Sequence, residues 1–126
     1  MCCGTMRALN MIVATPDAER FRGAILLAAA QAALGGAATL FLQLDAVALL
    51  RPPITAPRDE AHGASGLPSL AMLLADATAL GVRIIACQSG MALCGLSADD
   101  LPDGVLAGGP VGLLQQAGPE DQLLFV

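Results

Sequence analysis

Two hydrophobic patterns alternate along the chain. Blocks at 8–14 (ALNMIVA), 37–44 (AATLFLQL), 82–86 (VRIIA), 105–107 and 122–126 are short and largely apolar, as strands covered by other layers are. Between them, apolar residues recur at helical spacing; Leu70, Leu73, Leu74, Ala77 and Leu80 form one helix face. Turn and cap residues mark the joints. Thr15-Pro16-Asp17 predicts a helix start with Thr15 as cap, and Gly35-Gly36 predicts its end. Asp45 is expected to cap a short helix to residue 50, and Gly81 to close one over 69–80. Ser97-Ala98-Asp99-Asp100 reads as a capped start with acid in its first turn. Gly108-Gly109-Pro110 leads into a helix over 111–117, which Gly118-Pro119 breaks. Strands alternating with helices predict an α/β fold, a parallel sheet with helices on both faces.

One stretch carries the candidate chemistry. Residues 84–96 read IIACQSGMALCGL: a buried strand, Cys87, a predicted turn at Gln88-Ser89-Gly90, then a short helix through Cys94. Unpaired N–H groups where a helix begins favour a thiolate over a thiol. The plainer alternative is that Cys87 is a small buried hydrophobe. Topology adds to the first reading, because ligands of parallel sheets gather at the carboxyl ends of the strands. Thr15, Asp45, Cys87 and Gly108 all fall at such ends.

Composition narrows the alternatives. The chain has 126 residues, enough for one domain (1–126) with a real core; 1–7 is expected to be a loose N-terminus. Only 13% of residues are charged and 56% are hydrophobic, which excludes a disordered body and suggests a surface partly covered by another subunit. Net charge is −5, the six basic residues are all Arg, and no basic run exists, so nucleic acid is not an expected partner. Residues 23–44 form 22 positions without a charge, long enough to cross a membrane. Gly35-Gly36, Gln31 and Gln43 interrupt them, which favours a helix, a break and a buried strand over membrane association. The first ten residues hold no apolar secretion block, and the chain is expected to be cytoplasmic.

The four cysteines, Cys2, Cys3, Cys87 and Cys94, make no C-x-x-C pair, and with His62 they match no usual zinc spacing. The segment 51–68 is predicted to be a long loop; it holds four of the eight prolines, the cluster Arg58-Asp59-Glu60, and His62. His62 is the one candidate general base for a cysteine, although a lone loop histidine is more often simply solvated. Asp99, Asp100 and Asp103 are read as a solvated helix start rather than a metal site. No G-x-G-x-x-G, P-loop, H-E-x-x-H or G-x-S-x-G motif is present. Phe21, Phe41 and Phe125 are expected in the core, which leaves no aromatic for flavin stacking.

The run RIIACQSGMALCGLSADDLPDGVLAGGPVGLLQQAGPEDQLLFV resembles the DsrE/DsrF-like sulfurtransferase family, in particular its subgroup with an ACxxSMxLxGI…L…GV…GG…L signature. Residues 13–51, with the strand exit FLQLDAVALL, also fit, so the resemblance covers about four fifths of the chain. It implies a three-layer α/β/α domain with a five-stranded, largely parallel sheet, flavodoxin-like in outline. It further implies trimers or hexamers, as homo- or hetero-oligomers. Cys87 matches the family's sulfur-accepting cysteine, with Gln88, Ser89 and Gly90 beside it. The implied chemistry is persulfide transfer with a small sulfur-carrier protein or a rhodanese-type donor, needing no metal and no organic cofactor. Two alternatives stand beside it: a non-catalytic structural subunit of such an oligomer, and a small-ligand-binding flavodoxin-like domain. Departures are the order Ser89-Gly90-Met91, a short 52–67 segment, and Cys94, a candidate second thiol. A continuous helix from Gln88 would separate the two cysteines by ~10 Å along its axis, too far for a disulfide.

Overall fold

A computed structural model describes residues 6–126. Cys2, Cys3 and most of the expected loose N-terminus lie outside the described residues. The element order is β1 (Leu9–Val13), α1 (Ala18–Ala33), β2 (Ala38–Leu42), the 3₁₀ helix η1 (Leu44–Leu50), α2 (Asp59–Ala64) and α3 (Leu70–Ala79). Then follow β3 (Arg83–Cys87), α4 (Gln88–Cys94), the 3₁₀ turn η2 (Ala98–Asp100), β4 (Val105–Gly108), α5 (Pro110–Gln116) and β5 (Gln122–Phe125). The five strands form one parallel sheet in the order β4-β3-β2-β1-β5. The α/β fold expected from the alternating pattern is therefore the one observed.

Four strands step across the sheet in one direction, and the chain then jumps from β4 back to the far side of β1. The right-handed crossover rule places α1 and α3 on one face and α5, after the reversal, on the other; accordingly α1 packs on α3, and α5 lines a cleft with Ile12 and Phe41. Strand parity follows: Met11, Leu40 and Ile84 share a row on one face, while Ile12, Phe41, Ile85 and Leu106 share a row with Phe125 on the other. The central strand β2 and its neighbour β1 are buried at every position, which accounts for their largely apolar blocks. β5 is exposed throughout, so its apolar run is that of an edge strand.

Helix boundaries shift in ways with plain causes. The N-cap of α1 is Asp17, not Thr15: its carboxylate accepts from the N–H groups of Glu19 at 2.9 Å and Arg20 at 3.1 Å. Pro16 thus precedes the helix. Asp17→Ala is expected to cost about 1 kcal/mol of stability, read by urea denaturation. The helix expected over 69–80 is α3, and the structure adds that Ser69 caps it: its hydroxyl oxygen accepts from Met72 N–H. Asp45 does not cap η1, which begins at Leu44 with Gln43 as its cap residue. Ser97 and Asp100 form the anticipated capping box, and those contacts hold the Asp100 carboxyl below the usual carboxylate range. No helix among the described residues is long and apolar enough to cross a membrane.

The segment 51–68 is not one open loop. It contains α2, and a polar cluster ties it to α1. Arg22, only 2% exposed, donates to Glu19 Oε1 at 2.9 Å, Asp59 Oδ1 at 2.8 Å and the Pro68 carbonyl at 3.3 Å. Asp59 also accepts from the N–H groups of Ala56 at 3.0 Å and Leu70 at 2.9 Å. His62 Nε2 lies 3.0 Å from Glu19 Oε2. A buried guanidinium is tolerable only when its donors are satisfied, and here two carboxylates and a carbonyl satisfy them.

Candidate functional site

Cys87 closes β3 and is itself the N-cap residue of α4, because the helix starts at Gln88 with no intervening turn. This corrects the expected turn at 88–90. Three main-chain N–H groups favour the Cys87 anion: those of Ser89 and Gly90 at the start of α4, and that of Leu44 at the start of η1. The Ser89 hydroxyl joins them. None makes a short capping hydrogen bond to the sulfur; they act as oriented dipoles. Burial is the largest single influence and pushes the thiol up, but the donors of Leu44, Gly90 and Ser89 together outweigh it, and the Cys87 pKa is lowered.

Leu44 holds an unusual conformation to take part. Its φ is +49°, left-handed for a residue with a Cβ. Hydrogen bonds pin it on either side: Gln43 N–H donates to Val13 O at 3.0 Å, and Ala46 N–H to Gln43 O at 3.0 Å. No feature of the sequence announces this residue, since a turn of this kind is usually signalled by Gly or Asn.

Cys87 borders a cleft of ≈ 360 Å³ whose lining spans β1, β2, β5, η1 and α5. Its walls are mainly Ile12, Phe41, Leu44, Leu113, Leu123 and Phe125, with Gln43 and Ser89 as polar members and no charged side chain. Phe125 is 67% exposed at the mouth and is not the core residue its apolar neighbours suggested, whereas Phe21 and Phe41 are core. The cleft arises from topology: β5 returns to the sheet beside β1, and a single seven-residue helix, α5, covers that face.

Other candidates lie elsewhere. Gln88 is exposed and lines no part of the cleft. His62 is paired with Glu19 and faces a separate depression with Arg58, Ala61, Ser65 and Leu67, so it is not placed as a base for Cys87. Cys94 ends α4, half-buried against the core, and its carbonyl accepts from Arg51. Because α4 is continuous between them, the two thiols are ~10 Å apart along the helix, beyond disulfide reach. Among the described residues, no three His, Cys, Asp or Glu side chains gather as a metal site.

A strand-end thiol on a parallel sheet, with this order of elements, agrees with a family profile that matches residues 10–125, described as DsrE/DsrF/DrsH-like. The chain belongs to the DsrE/DsrF/DrsH-like family. Solved structures of similar fold include the ychN protein of E. coli, at 25% identity and TM-score 0.71, covering 96% of this chain and 100% of that one. Another is MTH1491 of Methanobacterium thermoautotrophicum, a protein of unknown function, at 17% identity, TM-score 0.71 and the same coverage. No curated protein matches the chain. Within this DsrE-like frame, Cys87 is the nucleophile candidate best supplied with donors for its anion.

Proposed function

We propose that this DsrE-like protein is a sulfur-relay carrier that holds sulfane sulfur as a persulfide on Cys87. The observation that carries the reading is the set of N–H groups from Leu44, Ser89 and Gly90 around a thiol that borders an open cleft. The Cys87 thiolate attacks the outer sulfur of a donor persulfide, R–S–SH. The donor S–S bond breaks, and R–S⁻ leaves with the electron pair and takes up a proton. Cys87–S–SH results, and passage to an acceptor thiolate repeats the exchange. No redox partner and no cofactor is required, because sulfane sulfur changes carrier without net oxidation.

The donor and acceptor are protein thiols, a small sulfur carrier or a rhodanese-type protein, in the reducing cytoplasm. The exposed apolar side chains Val111, Leu114, Leu123 and Phe125 beside the cleft support an oligomer in which another subunit covers that edge. Incubation with a persulfidated donor, followed by intact-mass and peptide mass spectrometry, tests the reading. One added sulfur atom on the Cys87 peptide is expected. The same gain on Cys87→Ser protein would refute the assignment.

One observation favours a second reading, the non-catalytic structural subunit: Cys87 is only 4% exposed. Under that reading the native protein reacts slowly with iodoacetamide at Cys87 and quickly only after denaturation.

A further inference from the structure

We infer that Gly90 is a positioning residue for the thiol site: lacking a side chain, it lets η1 seat against α4 so that the Leu44 main-chain N–H faces Cys87. This deepens the sulfur-carrier reading and rests on Cys87 being the thiol that matters.

Gly90 is buried in the first turn of α4. A Cβ there would overlap the Leu44 carbonyl oxygen, lie 2.5 Å from Val47 Cγ2 and 3.0 Å from Leu44 Cα. Two of these are main-chain atoms, and Val47 is fully buried in the core with a stiff β-branched side chain. Neither can yield locally, so a methyl at position 90 must push η1 away from α4. The segment so displaced contains Leu44, held at φ +49° between the fixed end of β2 and the first turn of η1. A strained residue with a Cβ persists only where its surroundings over-determine it, and such outliers gather at functional sites. Here the strain has a use. In this conformation Leu44 sets its carbonyl and Cα against Gly90, lines the cleft together with Cys87, and its N–H favours the Cys87 anion. Two of the three main-chain donors come with α4 itself, and the third depends on the contact between η1 and α4.

The test is the pH profile of Cys87 alkylation by iodoacetamide in wild-type and Gly90→Ala protein. In the variant the midpoint is expected to move up by about one pH unit, making alkylation near neutrality about tenfold slower, with the high-pH plateau retained. General loosening of the fold would instead expose the thiol and speed alkylation at every pH without moving the midpoint. An unmoved midpoint in folded Gly90→Ala overturns the inference. A second measurement needs no variant at position 90. The Leu44 amide resonance of the wild-type protein is expected to shift through the Cys87 titration and to stop doing so in Cys87→Ser; an insensitive Leu44 amide overturns the inference whether or not Gly90→Ala folds. Sulfur loading reports separately. Protein that accepts sulfur on Cys87 with an unmoved midpoint sinks the positioning role alone. Protein that refuses sulfur while Leu44 follows Cys87 ionisation sinks the carrier reading alone.

Discussion

Asp59→Asn is expected to lower the unfolding free energy by about 2–3 kcal/mol near neutral pH and to flatten the loss of stability in acid. The cost comes from what Asp59 serves. One oxygen accepts from Arg22 at 2.8 Å and Leu70 N–H at 2.9 Å, and the other from Ala56 N–H at 3.0 Å. An amide keeps one acceptor and turns a donor toward another donor. It also removes one of the two charges that neutralise a guanidinium whose side chain is 3% exposed. The Asp59 carboxyl is held below its usual range, first by Leu70 N–H and then by Arg22, against burial. Glu19 is lowered too, first by His62 and, against burial, by Arg22. A carboxyl with a depressed folded pKa binds fewer protons folded than unfolded. Its stabilisation is therefore complete above the unfolded value and is lost as pH falls through the folded one. The wild type should lose stability below about pH 4, and the variant should lose less there. Urea denaturation of both proteins at pH 7 and at pH values down to 3 checks both parts; parallel curves would show that Asp59 is not a principal acid-sensitive group.

For the thiol, the largest effect expected is on reaction rate. Wild-type protein should be alkylated at Cys87 with a midpoint below that of a free cysteine, about pH 8.5, and Cys87→Ser should lose this fast phase entirely. Opposed effects meet here. Burial disfavours the thiolate, while the donors of Leu44, Gly90 and Ser89 favour it and prevail. Access is a separate condition. Cys87 is nearly covered within a single chain, yet the cleft beside it is open, so a small reagent should reach the sulfur along the Leu113 and Phe125 side. A profile with its midpoint at or above that of free cysteine would mean that burial prevails, and would favour the structural-subunit reading. Peptide mass spectrometry keeps the Cys87 phase apart from alkylation of Cys2, Cys3 and Cys94, and Cys94→Ser is expected to leave the Cys87 midpoint unchanged.

Much of the fold was legible because local and global preferences agree. The apolar blocks at β1, β2 and β3, the apolar face of α3, the Ser97–Asp100 cap and the breaks at Gly35 and Gly81 each act over a few residues. Local rules failed where a distant partner decided the outcome. The α1 cap is a local matter by contrast: Asp17, directly before the helix, meets the N–H groups of Glu19 and Arg20, while Thr15 lies two residues further out. The run 59–64 became a helix inside an apparent loop because Asp59 and His62 have partners on α1. His62 looked like a free base only while Glu19, far from it in sequence, was out of view.

The site divides in the same way. Residue order alone placed Cys87 at the carboxyl end of a buried strand beside a helix start, since hydrophobic period and small-residue spacing suffice for that. Strand order was beyond reach, and with it the cleft: β5 pairs with β1 only because the last crossover reverses direction, which brings Phe125 across the sheet toward Cys87. The Leu44 donor was equally hidden, because its left-handed turn is stabilised by packing against Gly90 rather than by its own side chain. A strand-end cysteine is a short-range fact of the chain. A cysteine whose anion is met by donors from two separate elements exists only once those elements are packed together.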